Sequence, residues 1–226
     1  MHALLSFIVL ALTALHVGVG VACLGLGPSV LWARKGGAGH RTRGRVFLRL
    51  MTAMGVSAFG LLLIRFNSFF FVLAVFSFYL AFSGYRVLGR KAPALSGNAR
   101  PLDWAGAGLA AVVSAGGIIA NVAGVLKGDP VFVGTILGGT LLVSVYDLHR
   151  FARPLSRFDR PMLWFFEHLG KLIGSYIAVV AAFSATVLTF IPTPMRQLWP
   201  ALVGMPLMIA LIIHYRRKFD RVPAQV

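Results

Sequence analysis

The chain has 226 residues, 58% of them hydrophobic and only 12% charged, where soluble domains carry about 25% charged residues. That deficit excludes an ordinary soluble domain, and the single cysteine, Cys23, excludes an intramolecular disulfide. A net charge of +16 would suggest nucleic acid in a soluble protein, but cytoplasmic loops of bilayer proteins are enriched in Lys and Arg, so no nucleic-acid partner is expected.

The first charged residue is Arg34, and the apolar run before it carries His16 into the span. Ionisable groups inside a bilayer are costly, so they are usually functional or paired. No basic segment precedes this run, and it is too long for the apolar region of a signal peptide. It is expected to stay as a span. Gly20-Val21-Ala22-Cys23 lacks the same basic lead and is not read as a lipoprotein box.

A span needs about 20 apolar residues. Seven stretches qualify, approximately residues 3–26, 46–64, 68–87, 103–126, 130–148, 168–190 and 198–214. Gly25, Gly27 and Pro28 are expected to end or kink the first, leaving Leu31 and Trp32 along the interface. Arg65-Phe66-Asn67-Ser68 and Lys127-Gly128-Asp129-Pro130 read as tight turns, and Ile191-Pro192-Thr193-Pro194 as a Pro-rich one. The third span is bulky with Phe69, Phe70, Phe71, Phe76, Phe78 and Phe82 and reads as lipid-facing or core filler. The short alternating segments of a β-barrel are missing. The expected fold is all-α: a single transmembrane domain over residues 1–226, built as a polytopic seven-helix bundle.

Of the 22 Lys and Arg, only Arg65, Lys127 and Arg196 fall on one side of these spans. The other side collects the rest, including Arg157, Arg160 and Arg221. The basic side is expected to be cytoplasmic, with the N-terminus outside and the C-terminus inside. The lipid bilayer and its anionic lipid headgroups are then the first partners.

Small residues let helices approach closely in lipid. They recur as Gly170, Gly174 and Ala178 on the sixth span and as Ser114, Gly117, Asn121 and Gly124 on the fourth. On the first, His16, Gly20 and Cys23 share a face. The plain reading of these stripes is helix contact.

Polar groups gather at the basic ends of spans. His40 precedes the second, Asp103 opens the fourth, Asp147 and His149 close the fifth, Glu167 and His168 open the sixth, and His214 closes the seventh. His40 and His168 each sit beside glycine and a cation at a helix start, where the helix dipole favours anions and a neutral imidazole. A neutral ring can ligate metal or act as a base. Each candidate also has a plain reading. His40 would touch headgroups, Asp147 would pair with a neighbour such as Arg150, and Glu167 would cap the sixth helix. His149 and His214 would be solvated. His16 would be a packing histidine bonded to a carbonyl or serine of another span. Two imidazoles sharing a haem need one depth, and the expected spans put His168 and His214 roughly 10 Å beyond His16 at about 1.5 Å per residue.

At these residues the chain resembles a family of bacterial polytopic predicted membrane proteins defined by a domain of unknown function. The likeness covers nearly the whole chain. It rests on His16, the run from Lys35 to Arg45, Ser83-Gly84-Tyr85-Arg86, Asp103-Trp104, Tyr146-Asp147-Leu148, His168-Leu169-Gly170-Lys171 through Tyr176, and Trp199-Pro200 through Gly204-Met205-Pro206. Tyr85 stands where Trp is expected, and Lys171 where Arg is expected, which keeps the charge but loses the bidentate fork. The resemblance implies a multi-span protein of the bacterial cytoplasmic (inner) membrane and implies no activity.

The candidate ligand-binding set is His16, His40, Asp147, His168, Lys171 and Tyr176. Within it, His40, Asp147 and His168 form the candidate metal set, of a composition that suits zinc or iron. The leading reading is a cytoplasm-facing site that binds or transports an anionic or amphipathic ligand. The alternatives are a membrane-embedded metal-dependent enzyme, a haem- or quinone-binding redox protein, and an accessory subunit of a membrane complex. No specific motif supports a metal ion or haem, and a homo-oligomer stays open.

Overall fold

The computed structural model describes residues 2–91, 99–153 and 162–220. Arg157, Arg160 and Arg221 lie outside the described residues. Among the described residues the chain is helical and has no strand. The helices are α1 (His2–Trp32), α2 (Ala38–Ile64), α3 (Ser68–Arg86), α4 (Pro101–Val122), α5 (Pro130–Ala152), α6 (Leu163–Val187) and α7 (Thr193–Asp220). A 3-10 turn, Val87–Arg90, continues α3. All seven are long and apolar enough to cross a membrane, as an integral membrane protein requires.

Turn chemistry sets two of the starts. Asn67 accepts the Phe70 N–H at 3.1 Å at the head of α3. Asp129 Oδ1 accepts the Val131 and Phe132 N–H groups, both at 2.9 Å, with Pro130 in the first turn of α5.

Several helices outrun their apolar stretches. α2 starts at Ala38 instead of 46, α6 at Leu163 instead of 168, and α7 runs from Thr193 to Asp220 instead of 198–214. Hydropathy marks only the apolar stretch, while Arg41, Arg43, Arg45 and Arg49 keep a helical backbone beyond it. The expected break in α1 is also corrected: the helix passes through Pro28 to Trp32. Proline has no N–H for the carbonyl four residues back, and here that carbonyl belongs to Leu24. The Tyr176 hydroxyl of α6 donates to it at 2.9 Å. Gly27 makes room for the ring, since a Cβ there would lie 2.2 Å from a Tyr176 carbon.

α3 is the hub. It packs against α2, α4, α5 and α6, while α1 closes against α2 and α6, and α7 leans on α6. The apolar window of α3 is 56% buried, against 6% for α1 and for α7, but its phenylalanines flank the core instead of filling it. Phe69, Phe71, Phe76, Phe78 and Phe82 are half-buried and Phe70 is exposed. Leu73 meets Ala178 and Ala181 of α6, Val72 meets Val133 and Leu137 of α5, and Tyr79 meets Ala107 and Ala110 of α4. Cys23, Phe47, Met51, Met54 and Val179 knit α1, α2 and α6 together.

The approach of α3 to α6 is close at Gly84, where a Cβ would sit 2.8 Å from the Lys171 Cβ and 2.3 Å from a Leu172 methyl. Gly84→Ala is therefore expected to destabilise by about 1–3 kcal/mol, the usual range for overpacking. Gly89→Ala, with nothing within 4 Å of its Cβ, is expected to leave stability unchanged. Thermal unfolding in detergent checks both, and a wild-type midpoint for Gly84→Ala would refute the close approach.

Candidate functional site

The deepest polar cluster joins α3, α5 and α6. Asp147 lies on the inward face of α5, in line with Thr140 and Ser144. Lys171 lies on the inward face of α6, two turns before Ala178. The Lys171 ammonium donates to Asp147 Oδ1 at 2.5 Å and Oδ2 at 2.7 Å. The Tyr79 hydroxyl of α3 donates to Oδ2 at 2.7 Å. Exposures of 1% for Asp147, 5% for Tyr79 and 7% for Lys171 place all three away from solvent. An ion pair can persist there because each charge meets its opposite and further hydrogen bonds satisfy the carboxylate. Asp147 was expected to pair with Arg150; it pairs with Lys171 instead. Arg150, nearer the end of α5, reaches Glu167, at 3.3 Å.

Nearer the end of the bundle, His40 of α2 and His168 of α6 lie edge to face with ring centroids 6.5 Å apart. In each ring Nδ1 is spent on a backbone carbonyl. His40 reaches Val30 O of α1 at 3.1 Å, and His168 reaches Gly84 O of α3 at 2.9 Å. A carbonyl only accepts, so Nδ1 carries the proton and Nε2 of both rings keeps its lone pair. No hydrogen bond to either Nε2 occurs among the described residues. His40, expected to precede the second helix, stands in the first turn of α2, and α6 starts five residues before His168 and places it in the second turn.

Cations surround this pair. Lys35 and Lys91 both act electrostatically on His168. The Lys35 ammonium caps the end of α1 on the Leu31 carbonyl, and partial burial lowers its pKa. The Lys91 ammonium lies 4.6 Å from the centre of the Trp164 ring, a cation–π contact. Arg43 donates to Ser29 O at 3.0 Å.

Two ion clusters complete this end. Asp103 accepts from Arg86 at 2.7 and 3.1 Å and from the Arg100 N–H at 2.9 Å, with Arg90 at 3.3 Å. Glu167 accepts from the Tyr146 hydroxyl at 2.6 Å and from Arg150. Glu167 therefore ties α6 to α5 rather than capping α6, whose start lies a turn earlier.

His16 is separate. Its Nδ1 faces Met54 O at 3.3 Å and Ser57 Oγ at 3.1 Å on α2, the carbonyl-and-serine contact its packing reading describes. Met54 and His40 are fourteen residues apart on α2, roughly 20 Å at about 1.5 Å per residue. The expected offset of roughly 10 Å runs from His16 to His168 and His214, and His168 lies beside His40. His16 and the His40/His168 pair therefore cannot ligate one iron.

Of the six candidates, the fold brings His40 to His168 and Asp147 to Lys171, while His16 and Tyr176 each bond a different neighbour. Among the described residues no three His, Cys, Asp or Glu side chains come together as a metal-holding group. Tyr79 is the functional-looking residue that the sequence reading passed over. Its signal was a phenol among the phenylalanines of α3, since a buried tyrosine hydroxyl seeks a partner. Together these features define a seven-helix polytopic protein with an ion pair locked into its core. No protein-family model, curated protein or solved structure matches the chain.

Removing one member of a buried pair strands the other charge, at a typical cost of about 3–5 kcal/mol. Asp147→Ala and Lys171→Met are each expected to destabilise on that scale. The double variant is expected to lose less than the sum of the two. Unfolding curves for the four-member cycle check this, and simple additivity would show that the pair is uncoupled.

Proposed function

We propose that this chain is an integral protein of the bacterial cytoplasmic membrane, with its N-terminus outside and its basic end in the cytoplasm, that binds an anionic group of an amphipathic ligand at His40 and His168. The observation that carries this reading is the pair of imidazoles with Nδ1 anchored and Nε2 unpartnered, in surroundings charged by Lys35 and Lys91. Since a lone pair repels an anion, binding takes up a proton at Nε2 and turns it into a donor. The anchoring carbonyls hold both rings still, and the ammonium groups favour an anion over a cation. The first turn of α2 adds its dipole at His40. Asp147 serves as a strut in this reading, since both its oxygens are engaged.

One observation favours a second reading. Metal-ligating histidines commonly donate their other ring N–H to a backbone carbonyl, as both do here. Elemental analysis separates the two: stoichiometric copper or zinc that His168→Ala abolishes would favour the metal.

For the leading reading, the full chain is reconstituted in nanodiscs of phosphatidylcholine with phosphatidylglycerol, and retained lipid is measured by native mass spectrometry. Wild type is expected to retain phosphatidylglycerol, and His40→Ala/His168→Ala to retain about tenfold less, equivalent to 1.4 kcal/mol. Equal retention would reject the site.

Orientation has its own measurement. Arg34→Cys is expected to resist a membrane-impermeant maleimide in intact cells, and Lys127→Cys, in an exposed loop at the opposite end, to react. The reverse pattern would overturn the charge argument.

A further inference from the structure

A cavity of about 450 Å³ lies within the ring of four helices formed by α1, α2, α3 and α6, each packed against the next. It is separate from the His40/His168 pair. Its walls are almost wholly apolar, including Val17, Leu24, Leu61, Phe70 and Phe78. From Met51 at one end of the lining to Arg65 at the other is fourteen residues of α2, roughly 20 Å at about 1.5 Å per residue. A space of this volume and length is a slot, suited to a single extended chain.

Most polar side chains along the slot have spent their hydrogens internally. Thr13 donates to Val9 O, Ser77 to Ala74 O, and Thr186 to Ala182 O. Two groups keep capacity. At the mouth the Arg65 guanidinium, exposed beside Asn67, makes no hydrogen bond or ion pair among the described residues. It offers five donors in a fork that matches a carboxylate or phosphate. Asn67 spends its side-chain oxygen on capping α3, which leaves its NH₂ donors beside the guanidinium. Partway down the slot stands His16, its Nδ1 held by α2. Ligand pockets of about 300–1,000 Å³ with apolar walls and a few placed polar groups are the usual form of a small-molecule site.

We infer that this slot binds a single-chain anionic amphiphile, a long-chain carboxylate or a single-tailed phosphate monoester, with its anion on Arg65 and Asn67 and its chain running inward past His16. Charge complementarity fixes the orientation. An anion at the mouth meets the guanidinium at the bundle end, where water also reaches it, whereas an anion at His16 would be buried among apolar walls at a large desolvation cost. The chain meanwhile covers apolar walls that nothing else in the fold fills.

The test uses the full chain in phosphatidylcholine nanodiscs with radiolabelled palmitate and hexadecyl phosphate, and with hexadecanol as the uncharged probe. Saturable binding of either anion is expected; whichever binds more tightly identifies the head. Arg65→Gln is expected to weaken the anions at least tenfold and to leave hexadecanol unchanged. Ala58→Phe, which fills the slot, is expected to abolish binding of all three. If that variant unfolds, Val17→Trp at a more exposed wall position takes its place. Wild-type affinity in Arg65→Gln would overturn the proposal. So would loss of anion binding in His16→Ala with Arg65→Gln unaffected, which would place the head at the inner end, and so would the absence of saturable binding.

Discussion

A carboxylate of α5 and an ammonium of α6 face each other beside α3, on which both helices pack, and neither can leave without stranding its partner in a low-dielectric interior. The Asp147–Lys171 contact, steadied by Tyr79, ties α3, α5 and α6 together at one level. Hydrophobic burial cannot supply this constraint in lipid, where apolar side chains pack on acyl chains as readily as on one another. Directional bonds must fix which helix sits where. The geometry also explains why Gly84 is glycine: the Lys171 stem lies against it, and a side chain there would push α6 away from α3. The carbonyl of that same glycine holds His168. One close approach thus sets the depth of the ion pair and the orientation of an imidazole a turn away.

The α1–α6 contact uses a different device. Pro28 frees a carbonyl inside an apolar helix, a costly state unless a donor arrives. Tyr176 supplies it from α6, and Gly27 lets the ring come close. A residue that would end a helix in water becomes a docking point in a membrane helix. The broken hydrogen-bond ladder of one helix fixes its contact with another.

These two devices mark where sequence reasoning succeeds and where it stops. Span number followed from local hydropathy, because crossing a bilayer is a demand each helix meets alone. The small-residue faces were legible in part for the same reason: Gly117 packs on Leu137, Gly174 on Leu80 and Cys23 against α2, but a Cβ at Gly170 would meet open space and Gly124 lies in the turn beyond α4. Partner choice was not local. Asp147 has Arg150 three residues away, and nothing in the chain says that Lys171, twenty-four residues on, will reach it first. Pro28 reads as a breaker until Tyr176 is known to lie beside it. His40 and His168 were both conspicuous, but their meeting depends on α2 and α6 extending well past their apolar stretches, which hydropathy does not mark.

The two ends of the bundle carry opposite kinds of polar chemistry. At the His40/His168 end, acids and bases answer one another: Asp103 with Arg86 and Arg90, Glu167 with Arg150, Asp147 with Lys171. Such networks rigidify, because each group is held from several helices at once. At the other end Asn67 and Asp129 are spent on capping their own helices, and Arg65 faces the slot unanswered. A slot without cross-helix bonds at its mouth can widen by moving α1, the least enclosed helix alongside α7, without breaking any ion pair. The fold therefore concentrates its ion pairs where the imidazoles are oriented and leaves the apolar slot to packing and the hydrogen bonds of His16 and Tyr176. His16 sits at the boundary, the polar link between α1 and α2 that borders the slot. The histidine that stands out in the sequence is thus the point at which the compliant half of the ring is fastened to the rigid half.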